Sequence, residues 1–303
     1  AECHPYIQYN QRLVFRNLRL FAMPDPFDFD PAPLQFTVIG NPIEHSLSPD
    51  IHRMFAQQAN IRLEYTKTLG ESGGFNQAVQ HFMATGGKGM NVTVPFKLEA
   101  FRLCDHSSER ARLAGAVNTL WFEGGEIYGD VTDGVGMVRD IERNHDISLR
   151  DKRVLVIGAG GAVRGVLQPM LEAGPRELVI CNRTEGKAMD LAELFAACGP
   201  IRAMPLKALE GESFDIVVNG TAASLGNELP PVPASIFHGV RFAYDMMYAQ
   251  QPTVFMRWAL DHGAAEVADG LGMLVEQAAA GFEIWHAVSV ETAPVIAALR
   301  QGV

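Results

Sequence analysis

Residues 153–165 read RVLVIGAGGAVRG, and this stretch decides the fold. The unbroken apolar run 154–157 has the length and the β-branched content of a strand that is buried on both faces. It leads into the glycine-rich turn 158–162 and then into a segment whose apolar residues recur at helical spacing. A strand, a glycine turn and a helix in this order are typical of a dinucleotide-binding unit.

The glycine turn offers what a pyrophosphate needs. Glycines let the backbone approach the phosphates, and the free N–H groups at the start of the helix provide a positive pole. Counted as G-x-G-x-x-G/A, the last position is Val163, so the turn is a variant with an extra glycine at Gly161. We expect the nucleotide to be bound by Gly158, Ala159, Gly160, Gly161 and Ala162.

Length and composition limit the class of protein. A chain of 303 residues with 48% hydrophobic and 20% charged residues is typical of a globular protein of two domains. The net charge of −10 argues against a nucleic-acid partner, and no apolar run approaches a membrane span of about 18 residues. The cysteines lack C-x-x-C spacing, so we expect reduced thiols in a cytoplasmic protein.

Residues 1–33 differ from the rest of the chain. They contain a short basic amphipathic stretch and a linker rich in proline and aspartate, without the apolar core of a secretory signal. We expect a disordered N-terminal extension without a role in function.

Ser46, Ser48 and Pro49 follow a predicted strand at 36–39 and allow two interpretations. In one, Ser48 is the N-cap of a helix with Pro49 at its first position, and Ser46 only forms a turn. In the other, the two hydroxyls and the helix N-terminus bind a small carboxylate. Nearby, His45 and His52 are too isolated for a metal site, so we expect surface or packing roles for them.

A lysine and an aspartate stand out between these serines and the glycine turn. Lys97 lies in the first turn of a helix that Pro95 is predicted to begin, where the helix dipole disfavours a cation. Asp133 follows a predicted hairpin around 124–125 and is suited to cap a helix that runs to about residue 144.

The second half of the chain alternates strands and helices. Predicted strands at 177–181, 215–219, 241–246 and 265–268 complete a doubly wound unit, so the fold class is α/β with a Rossmann-type domain. Ligands of such sheets bind at the carboxyl ends of the strands. The residues at these ends that we expect to contact ligand are Thr221, Met246 and Tyr248, followed by Gly270 ahead of a long last helix.

The end of the second strand predicts the type of cofactor. NAD-selective sites place an acidic residue there, whereas this chain reads Asn182-Arg183-Thr184 with Lys187 one turn further on. Arginine and lysine offer charge for a 2′-phosphate, so the sequence predicts NADP. In the alternative interpretation, Thr184 only caps the next helix and Arg183 points into solvent.

Eight segments, in this order, resemble the shikimate dehydrogenase family over nearly the whole chain from residue 36 onward. They are VIGNPIEHSLSPDIH (38–52), GMNVTVPFK (89–97), GAVNTL (115–120), VTDGVG (131–136), VIGAGGAVRG (156–165), NRT (182–184), YDMMY (244–248) and DGLGMLVEQAA (269–279). The family usually has asparagine where this chain has Val131, which places the support of that loop in question.

The resemblance implies NADPH-dependent reduction of 3-dehydroshikimate to shikimate in aromatic amino-acid biosynthesis. It implies that Lys97 and Asp133 form the catalytic pair and that Ser46 and Ser48 bind the substrate carboxylate. The further substrate-binding residues that it implies are Asn91, Thr93, Asn118, Tyr248 and Gln277.

The resemblance also implies a discontinuous architecture. A substrate domain of residues 34–133 and 270–303 would enclose a dinucleotide-binding domain of residues 134–269, with the cleft between them closing over the reactants.

We expect a monomer or homodimer that acts on a small molecule. Two alternatives are a quinate/shikimate dehydrogenase paralogue that uses NAD, and an NADP-binding sensor without catalysis. The sensor is disfavoured because it has no need of the complete set of catalytic and substrate residues.

Overall fold

The computed structural model describes residues 32–302, so the predicted N-terminal extension lies almost entirely outside the described residues. The described chain forms two six-stranded sheets that are covered by helices. This confirms the predicted α/β class. Within this part of the chain, no helix combines the length and the apolar character needed to cross a bilayer.

The first sheet is mixed and has the strand order β2-β1-β3-β5-β6-β4. Its strands are β1 (Leu34–Gly40), β2 (Leu63–Leu69), β3 (Gly89–Val92), β4 (His106–Ser107), β5 (Thr119–Glu123) and β6 (Glu126–Asp130). Strand β1 pairs in parallel with β2 and β3, and β5 runs antiparallel to both β3 and β6. Gly124 and Gly125 connect β5 to β6 with φ angles of 62° and 88°, which favour glycine, as the predicted hairpin requires.

Helices from both ends of the chain accompany this sheet. They are α1 (Ser48–Ala59), α2 (Phe75–Ala84), α3 (Lys97–Leu103), α4 (Glu109–Ala114), α9 (Leu271–His286) and α10 (Ala293–Arg300). Helix α5 (Asp133–Arg139) contacts both α9 and the first helix of the second sheet, and its Met137 belongs to the apolar cluster of that second sheet. Helix α5 continues into a π-helical turn at Asp140–Asn144, so the predicted end near residue 144 is confirmed. Phe55 of α1 and Phe282 of α9 meet in one apolar cluster, which anchors α9 beside α1.

The second sheet is parallel throughout, with the order β12-β11-β10-β7-β8-β9. Its strands are β7 (Arg153–Ile157), β8 (Glu177–Cys181), β9 (Ile201–Ala203), β10 (Ile216–Asn219), β11 (Phe242–Asp245) and β12 (Glu266–Asp269). Its helices are α6 (Gly161–Glu172), α7 (Glu185–Leu194) and α8 (Val254–Asp261). The order reverses between β7 and β10, which is where doubly wound sheets bind their ligands.

The apolar run of β7 is buried on both faces, as predicted. Val154 and Val156 belong to one apolar cluster, and Leu155 and Ile157 belong to another. Strand β9 and helix α4 were not predicted. Each is short, and the three residues of β9 (sequence IRA) are too few for an alternation of apolar and polar residues to predict a strand.

Three predicted helix starts were wrong in detail. Ser48 is the first residue of α1 rather than its cap, because Leu47 takes the cap position. Helix α3 begins at Lys97, since Pro95 lies in the preceding turn. Asp133 is likewise the first residue of α5, and Thr132 takes the cap position. In none of these helices does a cap side chain accept a backbone N–H.

Candidate active site

A cleft of about 400 Å³ brings the predicted catalytic and substrate-binding residues together. These residues are Ser46, Ser48, Asn91, Thr93, Lys97, Asn118, Asp133, Tyr248 and Gln277. Met246 and Gly270, which were predicted on the cofactor side, line the same cleft. The cleft therefore joins residues that lie more than 200 positions apart in the chain.

Lys97 and Asp133 form an ion pair inside this cleft. The Lys97 Nζ donates to Asp133 Oδ2 over 2.6 Å, and their side chains are 30% and 13% exposed. Each is the first residue of its helix, α3 and α5. The pair thus combines an ammonium group with three donor hydrogens and a carboxylate, and enough exposure remains for a ligand to reach it.

Asn118 holds the carboxylate of Asp133 in place. Its Nδ2 lies 3.0 Å from Asp133 Oδ1, 3.0 Å from Thr132 Oγ1 and 3.1 Å from Gln277 Oε1. Its Oδ1 accepts the backbone N–H of Thr132 at 2.9 Å. Asn118 is 3% exposed, so this amide is an internal fixing point between β5, α5 and α9.

The loop around Val131 is supported without the asparagine that is usual there in the family. The Val131 side chain is 1% exposed and belongs to the apolar cluster under the first sheet. Its backbone N–H donates to Asp130 Oδ1 at 2.7 Å, and Asp130 is held in turn by Arg110. Asp133 therefore sits on a loop that is fixed by apolar packing and by the neighbouring carboxylate.

The two serines lie side by side at the start of α1. Ser46 Oγ donates to Ser48 Oγ at 3.2 Å and accepts the backbone N–H of Ser48 at 3.4 Å. The interpretation of Ser48 as a helix cap was wrong, because its hydroxyl accepts no helix N–H. Two hydroxyls and a helix N-terminus without a side-chain cap therefore face one cleft, and this arrangement suits an anion.

The two histidines of the same segment occupy different environments. His45 is exposed and lines the cleft, whereas His52 is fully buried and stacks on Tyr65 with ring centroids 4.5 Å apart. Burial lowers the pKa of His52 to about 3, so this residue is a neutral packing group. Tyr248 lines the cleft, and burial raises the pKa of its hydroxyl.

The glycine turn fits a pyrophosphate. Gly158 has a φ of +115°, and a Cβ there would lie 3.1 Å from the backbone oxygen of Gly220. A Cβ on Gly160 or Gly161 would meet nothing within 4 Å, so these glycines border open space. Helix α6 begins here without a side-chain cap, which leaves its first N–H groups to an external acceptor.

The end of β8 fits a cofactor with a 2′-phosphate. Arg183 and Lys187 are exposed, and the strand is followed by the neutral Asn182, whose Nδ2 donates to the backbone oxygen of Thr184 at 2.9 Å. Thr184 takes the cap position of α7, as the alternative interpretation requires, although its hydroxyl makes no capping hydrogen bond. Arg183 is exposed, so its contact with a 2′-phosphate stays a prediction.

The remaining predicted cofactor residues lie at the carboxyl ends of neighbouring strands. Thr221 follows β10, and its hydroxyl donates to Asn219 Oδ1 at 2.7 Å. The Thr221 side chain lies next to Gly158 and does not line the cleft. Gly270 follows β12, and a Cβ there would lie 2.3 Å from the backbone oxygen of Met246, so only glycine fits. Further cleft residues that were not singled out are Val38, Pro42, Ile43, Leu47, Val92, Met247, Met273 and Leu274. They are apolar residues, and their only signal in the sequence is that they lie inside the segments that carry the family resemblance.

Three family models match the chain in order. They are the shikimate dehydrogenase substrate binding domain over residues 38–120, shikimate/quinate 5-dehydrogenase over 140–226, and the shikimate 5′-dehydrogenase C-terminal domain over 270–300. The shikimate dehydrogenase (NADP(+)) of Alkalilimnicola ehrlichii is 54% identical and aligns over 88% of this chain and 98% of its own. That of Hahella chejuensis is 51% identical over the same shares of the two chains.

Solved structures agree with these relatives. An Ael1 enzyme from Pseudomonas putida has a TM-score of 0.85 and 50% identity, with 88% of this chain and 98% of that chain covered. The shikimate 5-dehydrogenase of Thermus thermophilus, in complex with NADP(H) and shikimate, has a TM-score of 0.80 and 32% identity over 89% of this chain and 100% of its own. The family models and the identity to relatives of nearly full coverage lead to one conclusion: the chain belongs to the NADP-dependent shikimate dehydrogenase family of oxidoreductases.

Proposed function

We propose that this chain catalyses the reversible NADPH-dependent reduction of 3-dehydroshikimate to shikimate. The observation that carries the proposal is the joint lining of one cleft by the Lys97–Asp133 ion pair and the Ser46–Ser48 hydroxyl pair. A small hydroxy acid that carries a ketone needs both residue pairs. The serines must hold its carboxylate while the ion pair delivers a proton to the ketone oxygen. The relatives that bear this enzyme's name support the assignment.

Lys97 and Asp133 handle the proton. When bound, NADPH supplies the hydride for the carbonyl carbon, and the carbonyl oxygen then needs a proton. The Lys97 Nζ donates a hydrogen bond to this oxygen and gives it a proton as the negative charge develops. Asp133 aims the ammonium group at the reacting oxygen, since its Oδ2 lies 2.6 Å from Nζ. In the reverse direction, Lys97 accepts the hydroxyl proton.

Ser46 and Ser48 hold the carboxylate at the start of α1. Each hydroxyl can turn its hydrogen toward a carboxylate oxygen, Ser46 by giving up its bond to Ser48, and the N-terminus of the helix adds a favourable dipole. Thr93, Asn91, Asn118, Tyr248 and Gln277 offer further hydrogen bonds within the cleft. Binding at one end thus orients the reacting carbon at the other.

The carboxyl ends of the second sheet carry the residues that would hold NADP. Gly158, Ala159, Gly160, Gly161 and Ala162 would bind the pyrophosphate, and Asn182, Arg183, Thr184 and Lys187 would bind the phosphorylated ribose. Thr221, Met246 and Gly270 would contact the nicotinamide end of the cofactor. Met246 and Gly270 also line the substrate cleft, which supports this assignment.

The architecture divides these tasks between two domains. Residues 34–133 with 270–303 bind the substrate, and residues 134–269 bind the dinucleotide. Closure of the cleft excludes water during hydride transfer. The enzyme acts in the cytoplasm on a small molecule, as a monomer or homodimer. It has no nucleic-acid partner, because a net charge of −10 would repel the phosphates.

Product identification tests this function directly. The purified chain is given 3-dehydroshikimate and NADPH, and the product is identified by chromatography and mass spectrometry. We expect shikimate in stoichiometric amount with the NADPH consumed. Absence of shikimate, with the folded state confirmed by circular dichroism, would favour the sensor alternative.

A further inference from the structure

Tyr65 lies beneath the substrate cleft, in contact with the cleft residue Asn91. It belongs to β2, pairs with Phe36 of β1 and is only 9% exposed. Its hydroxyl donates to Asn91 Oδ1 over 2.6 Å. Asn91 lines the cleft and is itself 7% exposed. The Tyr65 hydroxyl is therefore one side chain removed from the cleft.

The neighbours of Asn91 fix the direction of this hydrogen bond. The Asn91 Nδ2 lies 3.2 Å from the backbone oxygen of Asn118 and 3.3 Å from Thr119 Oγ1. A backbone carbonyl can only accept, so the amide nitrogen must face it and the amide oxygen must face Tyr65. Tyr65 is consequently the donor. The reversed amide would place two acceptor oxygens against each other.

This arrangement determines what Asn91 can offer a ligand. Both of its amide hydrogens are engaged by the protein, and Tyr65 occupies one lone pair of Oδ1. The remaining lone pair is an acceptor. Asn91 therefore suits a hydroxyl group of the substrate, provided that Tyr65 keeps the amide oxygen in place.

The surroundings of Tyr65 keep its hydroxyl a hydrogen-bond donor. Burial raises the pKa of its hydroxyl well above the ordinary value, which keeps it protonated. His52 stacks on its ring with an interplanar angle of 8° and holds it in place.

A set of hydrogen bonds thus leads from Tyr65 toward the ion pair. Tyr65 is linked through Asn91 to the backbone of Asn118. The side chain of Asn118 then holds Asp133, the partner of Lys97. Tyr65 stands at the start of this set.

We propose that Tyr65 is a positioning residue that orients the Asn91 amide oxygen to accept a hydroxyl of the substrate. The inference rests on the proposed function, because shikimate supplies that hydroxyl. Tyr65 acts through Asn91 and does not itself touch the substrate.

The test is a double-mutant cycle read by substrate binding. Tyr65→Phe removes the hydroxyl and preserves the ring that His52 stacks on. We expect it to raise the shikimate Kd of the cofactor-free protein, measured by calorimetry, and the KM about tenfold, while kcat stays within about threefold. In an Asn91→Ala background the same change should add less than about twofold, because the group through which Tyr65 acts is gone.

Tyr244→Phe is the matched control. Tyr244 is also fully buried, and its hydroxyl donates over 2.6 Å to Asp140, which does not line the cleft. We expect this variant to lower the melting temperature and to leave the shikimate Kd unchanged.

Two outcomes would overturn the inference. One is an unchanged shikimate Kd in Tyr65→Phe, with or without a lower melting temperature, which would reduce Tyr65 to a packing residue. The other is that Tyr65→Phe weakens shikimate binding equally in the wild-type protein and in the Asn91→Ala background. A wild type that neither binds nor oxidises shikimate contradicts the proposed function instead, so the two failures are distinguishable.

Discussion

The ion pair with Asp133 explains why a lysine occupies the first turn of α3. A cation there is disfavoured by the helix dipole by about 0.3–1 kcal/mol, and a carboxylate at 2.6 Å offsets this cost. If Lys97 delivers the proton, Lys97→Ala should lower kcat by about 10²–10⁴ with little change in cofactor affinity. Steady-state kinetics with shikimate and NADP measures both quantities.

The control for this variant is Lys88→Ala, which removes an exposed lysine just before β3 and should leave kcat unchanged. Asp133→Asn should reduce kcat by a factor comparable to Lys97→Ala, and the double variant should lose much less than the product of the two factors because the pair acts as a unit. Retention of more than about a third of the wild-type kcat in Lys97→Ala would remove Lys97 from the mechanism.

Ser46 and Ser48 should affect binding more than stability. Ser48 caps no helix, so its hydroxyl is available for the substrate carboxylate. Each of Ser46→Ala and Ser48→Ala should cost about 1.5 kcal/mol in binding, which is roughly a tenfold rise in the KM for shikimate. Initial-rate kinetics and thermal unfolding are the measurements.

A true cap provides the comparison for these serines. The hydroxyl of Thr253 accepts the backbone N–H of Met256 at 3.2 Å at the start of α8. Thr253→Ala should therefore lower the melting temperature without raising the KM for shikimate. If the two serine variants behaved like Thr253→Ala, the carboxylate site would have to lie elsewhere.

His52 should make the fold sensitive to acid. Burial lowers its pKa from 6.5 to about 3, so between these values the unfolded chain binds a proton that the folded chain does not. Stability is therefore lost as the pH falls below 6.5, by up to about 1.4 kcal/mol per pH unit. His52→Phe should show a smaller drop in melting temperature between neutral pH and about pH 4.5 than the wild type.

The exposed His81 of α2 is the control, and His81→Phe should follow the wild type. An equal acid-induced drop in wild type and His52→Phe would show that His52 is protonated in the folded protein.

Among the structural elements, helix starts were the least predictable feature. Ser48-Pro49 and Asp133 have the residue types of helix starts, and α1 and α5 do begin there. The type of residue cannot tell whether its oxygen accepts the helix N–H or a more distant donor. Asp133 is bound instead by Lys97 and Asn118, which come from other parts of the chain. At such sites a long-range partner replaces the local cap.

The junction of β8 and α7 sets the cofactor preference. Arg183 and Lys187 are exposed there, and charge-assisted hydrogen bonds to a phosphate contribute about 1.5–3 kcal/mol each. Arg183→Ala should raise the KM for NADP at least about tenfold and leave turnover with NAD nearly unchanged.

Arg176, at the opposite end of β8, is 65% exposed and is the matched control. Arg176→Ala should not change the KM for NADP. An unchanged KM for NADP in Arg183→Ala would mean that Arg183 points into solvent in the complex.

At the scale of the whole molecule, the residues of the site could be predicted from the sequence better than the hydrogen bonds that connect them. The order of strands and the glycine turn follow from apolar runs and breaks that are local in the chain. The link from Tyr65 to Asn91 could not be predicted, because it depends on the register of β1 between β2 and β3. Strand register is a tertiary property, and Tyr65 by itself is an ordinary strand residue.

The central claim is that one cleft unites a shikimate site with an NADP site, and a comparison of kcat/KM tests it most directly. The wild type is assayed with shikimate and with quinate, each in the presence of NADP and of NAD, by following the absorbance of the reduced nicotinamide. We predict the highest kcat/KM for shikimate with NADP, at least about tenfold above shikimate with NAD. Equal use of both cofactors, or a preference for quinate, would contradict the account and favour the quinate/shikimate paralogue.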